Sequence, residues 1–199
     1  MARFEKAFEK TLKHEGGYSN HPKDKGGETY KGIARNFWPD WGGWRIIDQL
    51  KSKYPNGNLF ANLDGSIDLN EFVESFYRYH FWDKLNCVHM PQEIADELFD
   101  TSVNMGIGYG AKCLQNALNK LNRNQKDYPD LIVDGGIGNK SIDALEAYFD
   151  TSRFGSRNKE KLTMWLLKWM NYYQLKKYDE ITNRNLEQEI FVPGWTERT

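Results

Sequence analysis

Glu15-Gly16-Gly17-Tyr18, then Asp24 nine residues after the glutamate, then Gly26-Gly27-Glu28-Thr29-Tyr30-Lys31-Gly32-Ile33, is the stretch on which the reading of this chain turns. Upstream, Phe4, Phe8 and Leu12 recur every four residues, the spacing of one helix face. A helix over residues 3–14 places Glu15 on or beside that face, in the last turn, ahead of two glycines that can end it. A carboxylate therefore stands where a packing residue is expected, at the negative end of the helix dipole. Burial and the dipole both favour its protonated form. A carboxylic acid that stays protonated near neutral pH is what general acid catalysis requires. Position alone leaves a second reading open, a solvated glutamate or one paired with Lys or Arg.

The 199 residues suit one domain, or one with a small appendage, and suffice for a hydrophobic core. With 27 basic and 28 acidic residues the net charge is −1, which gives no electrostatic case for nucleic acid or an anionic membrane as partner. Aromatic residues make up 15%, including seven Trp and eleven Tyr, and flat amphipathic rings suit sugar clefts as well as cores. Cys87 and Cys113 read as two buried thiols, with one disulfide as the alternative. The N-terminus lacks a signal-peptide apolar run and no stretch reaches membrane-span length, so the expectation is synthesis in the cytoplasm without a signal peptide.

Helical patterns dominate. Residues 29–36 suggest a short helix, and residues 37–66 read as irregular with at most a short helix near Ile46. Asp68 and Glu71 suggest a capping box for a helix with Phe72, Phe76 and Tyr79 on its buried face. Pro91 opens a helix to about Met105, which Gly106, Gly108 and Gly110 break. Further helices are expected over residues 111–122, 140–149 and 159–177. The fold class is mainly α, with a possible small hairpin in the glycine-rich segments.

The glycine-rich stretch matches E-G-G-Y…D-x-G-G-x-T-x-x-G-I through Glu15-Gly16-Gly17-Tyr18, Asp24, Gly26-Gly27, Thr29 and Gly32-Ile33. It resembles glycoside hydrolase family 108, the phage- and prophage-type N-acetylmuramidases also called secretion activators. Asp100, Val103-Asn104, Gly106, Ala111, Leu114-Gln115, Asp134-Gly135, Ile137-Gly138 and Ala144-Leu145 resemble that family's predicted peptidoglycan-binding region. Gly194-Trp195 with Arg198 resembles its closing motif. The resemblance implies a lysozyme-like helical fold and hydrolysis of the β-1,4 bond between N-acetylmuramic acid and N-acetylglucosamine in peptidoglycan. It implies Glu15 as the general acid, with no cofactor and no metal. It also implies action on the cell wall during lysis or remodelling, by a monomer released through a holin-type export partner. Residues 1–90 would form the catalytic region and residues 91–199 the wall-binding region, packed as one compact unit.

A glycosidic oxygen leaves poorly unless it is protonated, and Glu15 would supply that proton. Asp24, in a turn of charged and glycine residues, is the candidate second carboxylate, or else only tightens its loop. Thr29 would hold a water, or cap the next helix. The expected outcome is inversion, by analogy with the small phage lysozymes, with carboxyl groups roughly 6.5–9.5 Å apart rather than roughly 5–5.5 Å. Tyr18 and Tyr30 would line the sugar cleft or pack beneath it. Asn104 would bind an N-acetyl or hydroxyl group, or simply end its helix.

Two other readings have weaker support. Residues 60–71 resemble the latter part of a calcium-binding EF-hand loop, with Gly65 at the bend and Glu71 as final ligand, but Phe60 stands at the first ligand position. A non-catalytic peptidoglycan-binding protein would share the second-half motifs without the chemistry. The four histidines form no H-E-x-x-H pattern that would mark a zinc hydrolase.

Overall fold

The apolar repeat at the N-terminus forms α1 (Phe4–Leu12), with Phe4, Ala7 and Thr11 buried. The computed structural model describes all residues except 13–16, 22–23, 56–58 and 151–157, so the expectations for Glu15 and Gly16 lie outside the described residues. The chain divides into two units, residues 8–80 and residues 1–7 with 81–199. Its fold class is mainly α with a small antiparallel sheet.

In the first unit, residues 29–36 are not the expected helix. β1 (Tyr18–Ser19), β2 (Thr29–Tyr30) and β3 (Ile33–Ala34) pair in that order, with Tyr18 opposite Tyr30 and Tyr30 opposite Ile33. The two-residue turn has φ of 43° at Lys31 and 78° at Gly32, the both-positive pattern of a type I′ hairpin. Lys31 is held there at every polar atom. Its amide donates to Gly17 O (3.0 Å) and its carbonyl accepts from Tyr77 Oη (2.7 Å). Its ammonium meets Asp64 at 2.9 Å and Asn70 at 3.0 Å.

Residues 37–66 are more ordered than their composition suggests, with α2 (Gly43–Lys53) and α3 (Leu59–Asp64). The tryptophans that read as irregular structure form a cluster. Trp38 meets Phe76 edge-on at 4.9 Å and Trp41 meets Trp44 edge-on at 5.0 Å. Trp44 Nε1 donates to Trp38 O (2.7 Å). Ring packing thus supplies what local propensity lacks. α3 also occupies the start of the calcium-loop-like segment, and Asp64 is engaged by Lys31.

α4 (Ile67–Tyr77) is capped by Ser66, whose hydroxyl accepts from the Leu69 amide at 3.3 Å, rather than by Asp68. Its buried face is Leu69, Val73, Phe76 and Tyr77. Phe72 and Tyr79, expected inside, are 38% and 66% exposed. The Tyr77 hydroxyl must reach the Lys31 carbonyl, which fixes the rotation of α4. A π-helical turn over Arg78–Trp82 then changes the phase and carries Tyr79 outward.

The second unit contains α5 (Gln92–Met105), α6 (Ile107–Leu121), α7 (Asn139–Phe149), α8 (Lys159–Arg184) and α9 (Val192–Thr196). Gly106 alone separates α5 from α6, because Gly108 and Gly110 lie inside α6. Gly110 is needed there for close approach: a Cβ would fall 2.0 Å from Ser102 Oγ on α5. Ile94, Leu98, Leu114, Leu118, Leu162 and Leu166 form the centre of this core. α8 runs to Arg184, beyond the expected end near Lys177. Its buried stripe, Leu162, Leu166, Met170, Gln174, Tyr178 and Thr182, turns polar halfway, which hid the continuation.

Those polar positions are satisfied. Thr101 Oγ1 lies 3.1 Å from Glu97 Oε1 and 3.3 Å from Gln174 Oε1. Tyr178 Oη accepts from Gln174 (3.0 Å) and Asn104 (2.6 Å). Cys87 and Cys113 are both buried and unpaired. Among the described residues, no helix is long and apolar enough to cross a membrane.

Candidate active site

The connection from β1 to β2 presents Asp24. Its amide donates to His21 O (2.9 Å), and its carbonyl accepts from the Gly27 amide (3.0 Å). Its carboxylate Oδ1 accepts from the Gly26 amide (2.8 Å). The turn is therefore closed by the side chain of its own first residue, as aspartate does in Asx turns. The residue is exposed.

Thr29 opens β2, so it is not a helix cap. Its hydroxyl donates to Gly27 O at 3.3 Å. Asp24 and Thr29 come together over Gly26. A Cβ on Gly26 would lie 3.3 Å from Asp24 Oδ1, 3.5 Å from Thr29 Oγ1 and 2.9 Å from Ala34 Cβ. The bare glycine is what lets Ala34 pack against the turn, with the carboxylate and the hydroxyl both bordering the same space. Together they can orient a water and accept its proton.

Tyr18 and Tyr30 are opposite each other in the sheet but differ in environment. Tyr18 is half-buried, and its hydroxyl donates to Glu28 Oε1 at 2.8 Å. Tyr30 is completely buried, and its hydroxyl has no hydrogen-bond partner among the described residues. Burial, with the Asp64 charge, pushes the Tyr30 phenol up to about 12. Asn104 belongs to the other unit, near the end of α5, with its amide on Tyr178 Oη.

Sequence reasoning missed the role of Glu28. It is 8% exposed, yet it is surrounded by Tyr18, by Lys51 at 2.8 Å and by Arg35 at 2.5 Å. Arg35 also forks onto Asp48, through Nη1 at 2.9 Å and Nη2 at 2.5 Å. Burial alone would raise the Glu28 carboxyl; the hydrogen bonds from Lys51, Tyr18 and Arg35 outweigh it and hold the group below its ordinary value. Glu28 is thus a fixed anion and unsuited to donating a proton. Desolvation, with the bond to Glu28, raises the Tyr18 phenol. The signal lay in two places: Glu28 within the glycine-rich motif with Arg35 two residues past its end, and Asp48 and Lys51 one turn apart on α2. The latter pair was hidden because residues 37–66 read as irregular.

The structure thus sets a turn-borne carboxylate near a hydroxyl on a small sheet in a mainly α, lysozyme-like fold, and the family match gives the class, a glycoside hydrolase. Residues 8–106 match the family model described as glycosyl hydrolase 108, and residues 109–199 match the model described as a predicted peptidoglycan domain. Residues 8–106 belong to glycosyl hydrolase family 108, and peptidoglycan is the chain's substrate or partner. The fold is similar to that in the structure of Brucella abortus SagA, with a TM-score of 0.52 at 21% identity, covering 98% of this chain and 88% of that one. No curated protein sequence matches the chain.

Proposed function

We propose that the protein is an N-acetylmuramidase, cleaving the β-1,4 bond between N-acetylmuramic acid and N-acetylglucosamine. The observation that carries this reading is the convergence of Asp24 and Thr29 over Gly26 within the segment that matches the hydrolase family. Glu15, the glutamate of the E-G-G-Y stretch, protonates the leaving oxygen. Asp24 accepts a proton from a water that Thr29 helps to hold, and direct attack by that water inverts the anomeric centre. Tyr18 offers its ring to the sugar and is steadied by Glu28, while Tyr30 supports the sheet from beneath. Asn104, its amide nitrogen donating to Tyr178, offers its side-chain oxygen to an N-acetyl or hydroxyl group of the glycan. The first half cuts and the second half holds the wall. The protein acts as a monomer, reaching the wall through a holin-type partner during lysis or remodelling.

Muropeptide analysis after wall digestion tests this. The expected products carry N-acetylmuramic acid at new reducing ends, and Glu15→Gln should lower their release by about 10²–10⁴-fold. Wild-type rates in Glu15→Gln would remove the mechanism, and new N-acetylglucosamine ends would make the enzyme a glucosaminidase. Sedimentation of the wild type with walls but no released ends would favour the non-catalytic binder.

A further inference from the structure

The second unit carries a surface concavity of about 580 Å³ whose lining is Lys120, Lys168, Trp169, Tyr172, Tyr173 and Lys176. Every lining residue is a lysine or an aromatic, in a chain whose overall charge is −1. Lys168, Tyr172 and Lys176 are spaced four apart on α8, and Trp169 and Tyr173 form the adjacent row. Lys120 arrives from α6, its ammonium 5.5 Å from the Trp169 ring centre. The rings support one another, with Trp169 edge-on to Tyr172 at 5.4 Å and Tyr172 to Tyr173 at 5.2 Å. Among the described residues, none of the three lysines is in an ion pair.

An uncompensated group of cations beside aromatic rings calls for an anionic ligand with flat, weakly polar faces. Tyr172 is 49% exposed and offers the open ring. Lys168 and Lys176 flank it by one helical turn each way, so their stems stand about 12 Å apart along the axis. Two anionic groups of one polymer can then be held at once, with a sugar ring over Tyr172 between them. The concavity lies in residues 109–199, the segment matching the predicted peptidoglycan domain, which favours a glycan over other polyanions.

We infer that this α6–α8 concavity is a binding site for an anionic wall glycan, with the three lysines taking its carboxylate or phosphate groups and Tyr172 stacking on a sugar. This rests on the wall-binding part of the proposed function and names the surface that performs it.

The test is sedimentation of the full chain with insoluble peptidoglycan on ice, which limits digestion. The arms are walls that retain phosphate polymers and walls stripped of them. The variant Lys120→Gln/Lys168→Gln/Lys176→Gln should bind about tenfold more weakly. A control, Lys6→Gln/Lys10→Gln/Lys126→Gln, carries the same net charge and should bind as wild type. Tyr172→Ala, at an exposed position, should bind several-fold more weakly with its lysines intact. Loss on stripped walls assigns carboxylates as the ligand anions, and loss only on unstripped walls assigns phosphates; either supports the site. Equal binding by the lysine variant, equal loss in the control, or displacement by DNA as effective as by soluble wall fragments would each overturn it. If the wild type itself fails to sediment, the wall-binding part of the proposed function fails too, an outcome distinct from a silent variant.

Discussion

Asp24 Oδ1 closes the turn through the Gly26 amide, and the proposed mechanism asks the same carboxylate to take a proton from water. The two duties separate in Asp24→Asn, because asparagine keeps an acceptor oxygen for the amide and loses the negative charge. Release of reducing ends should fall about 100-fold or more, while the melting temperature, followed by circular dichroism, should move by less than about 3 °C. Wild-type turnover would leave Asp24 as a turn residue only. The grouping around Asp24 was half legible in the sequence. Asp24, Thr29 and the glycines were visible as a group, but Gly26 as the point where the two polar atoms meet was not, since that depends on how β3 brings Ala34 against the turn.

At the scale of elements, the Glu28 network joins β2 and the turn beyond β3 to α2 through Arg35 and Lys51. Glu28→Gln leaves two cations facing a neutral amide and should cost about 1–3 kcal/mol in urea unfolding. The pH dependence follows from the direction of the shift. The folded Glu28 has a lowered pKa, so its contribution is fully present above the unfolded value of about 4.3 and is lost as pH falls through the lower folded value. Wild type should therefore lose stability across this acid window, and Glu28→Gln should lose less of it. An identical acid limb in both proteins would refute the assignment.

Element types were legible wherever one residue class repeated, as in α1 and α6. They were lost where tertiary contacts decide. The hairpin at Lys31-Gly32 depends on Tyr77, 46 residues away. α2 depends on a tryptophan cluster that includes Phe76 of a later helix. Gly110 looked like a breaker because the closeness of α5 is invisible along the chain.

For the whole molecule, the two cysteines report on the core. Both are buried, and burial raises both thiols, Cys113 to about 12. Neither should react with an aromatic disulfide reagent at neutral pH in the native state, and both should react once guanidinium unfolds the chain. The melting temperature should not respond to reductant. Rapid native labelling of either thiol would show that its part of the core opens readily.

The Glu97–Thr101–Gln174–Tyr178–Asn104 chain has a consequence for how α8 finds its place on α5. The apolar contacts from Leu162, Leu166 and Met170 are nearly interchangeable, and sliding one helix by a turn of about 5.4 Å would trade leucine for leucine. The polar atoms do not tolerate the trade, since the same slip would strand a buried amide and a buried carboxylate without partners. They act as an indexing pin, admitting one setting of an otherwise slippery joint. Because Tyr178 also stacks on Trp195 at 4.8 Å, the same pin dictates where the chain's last helix docks.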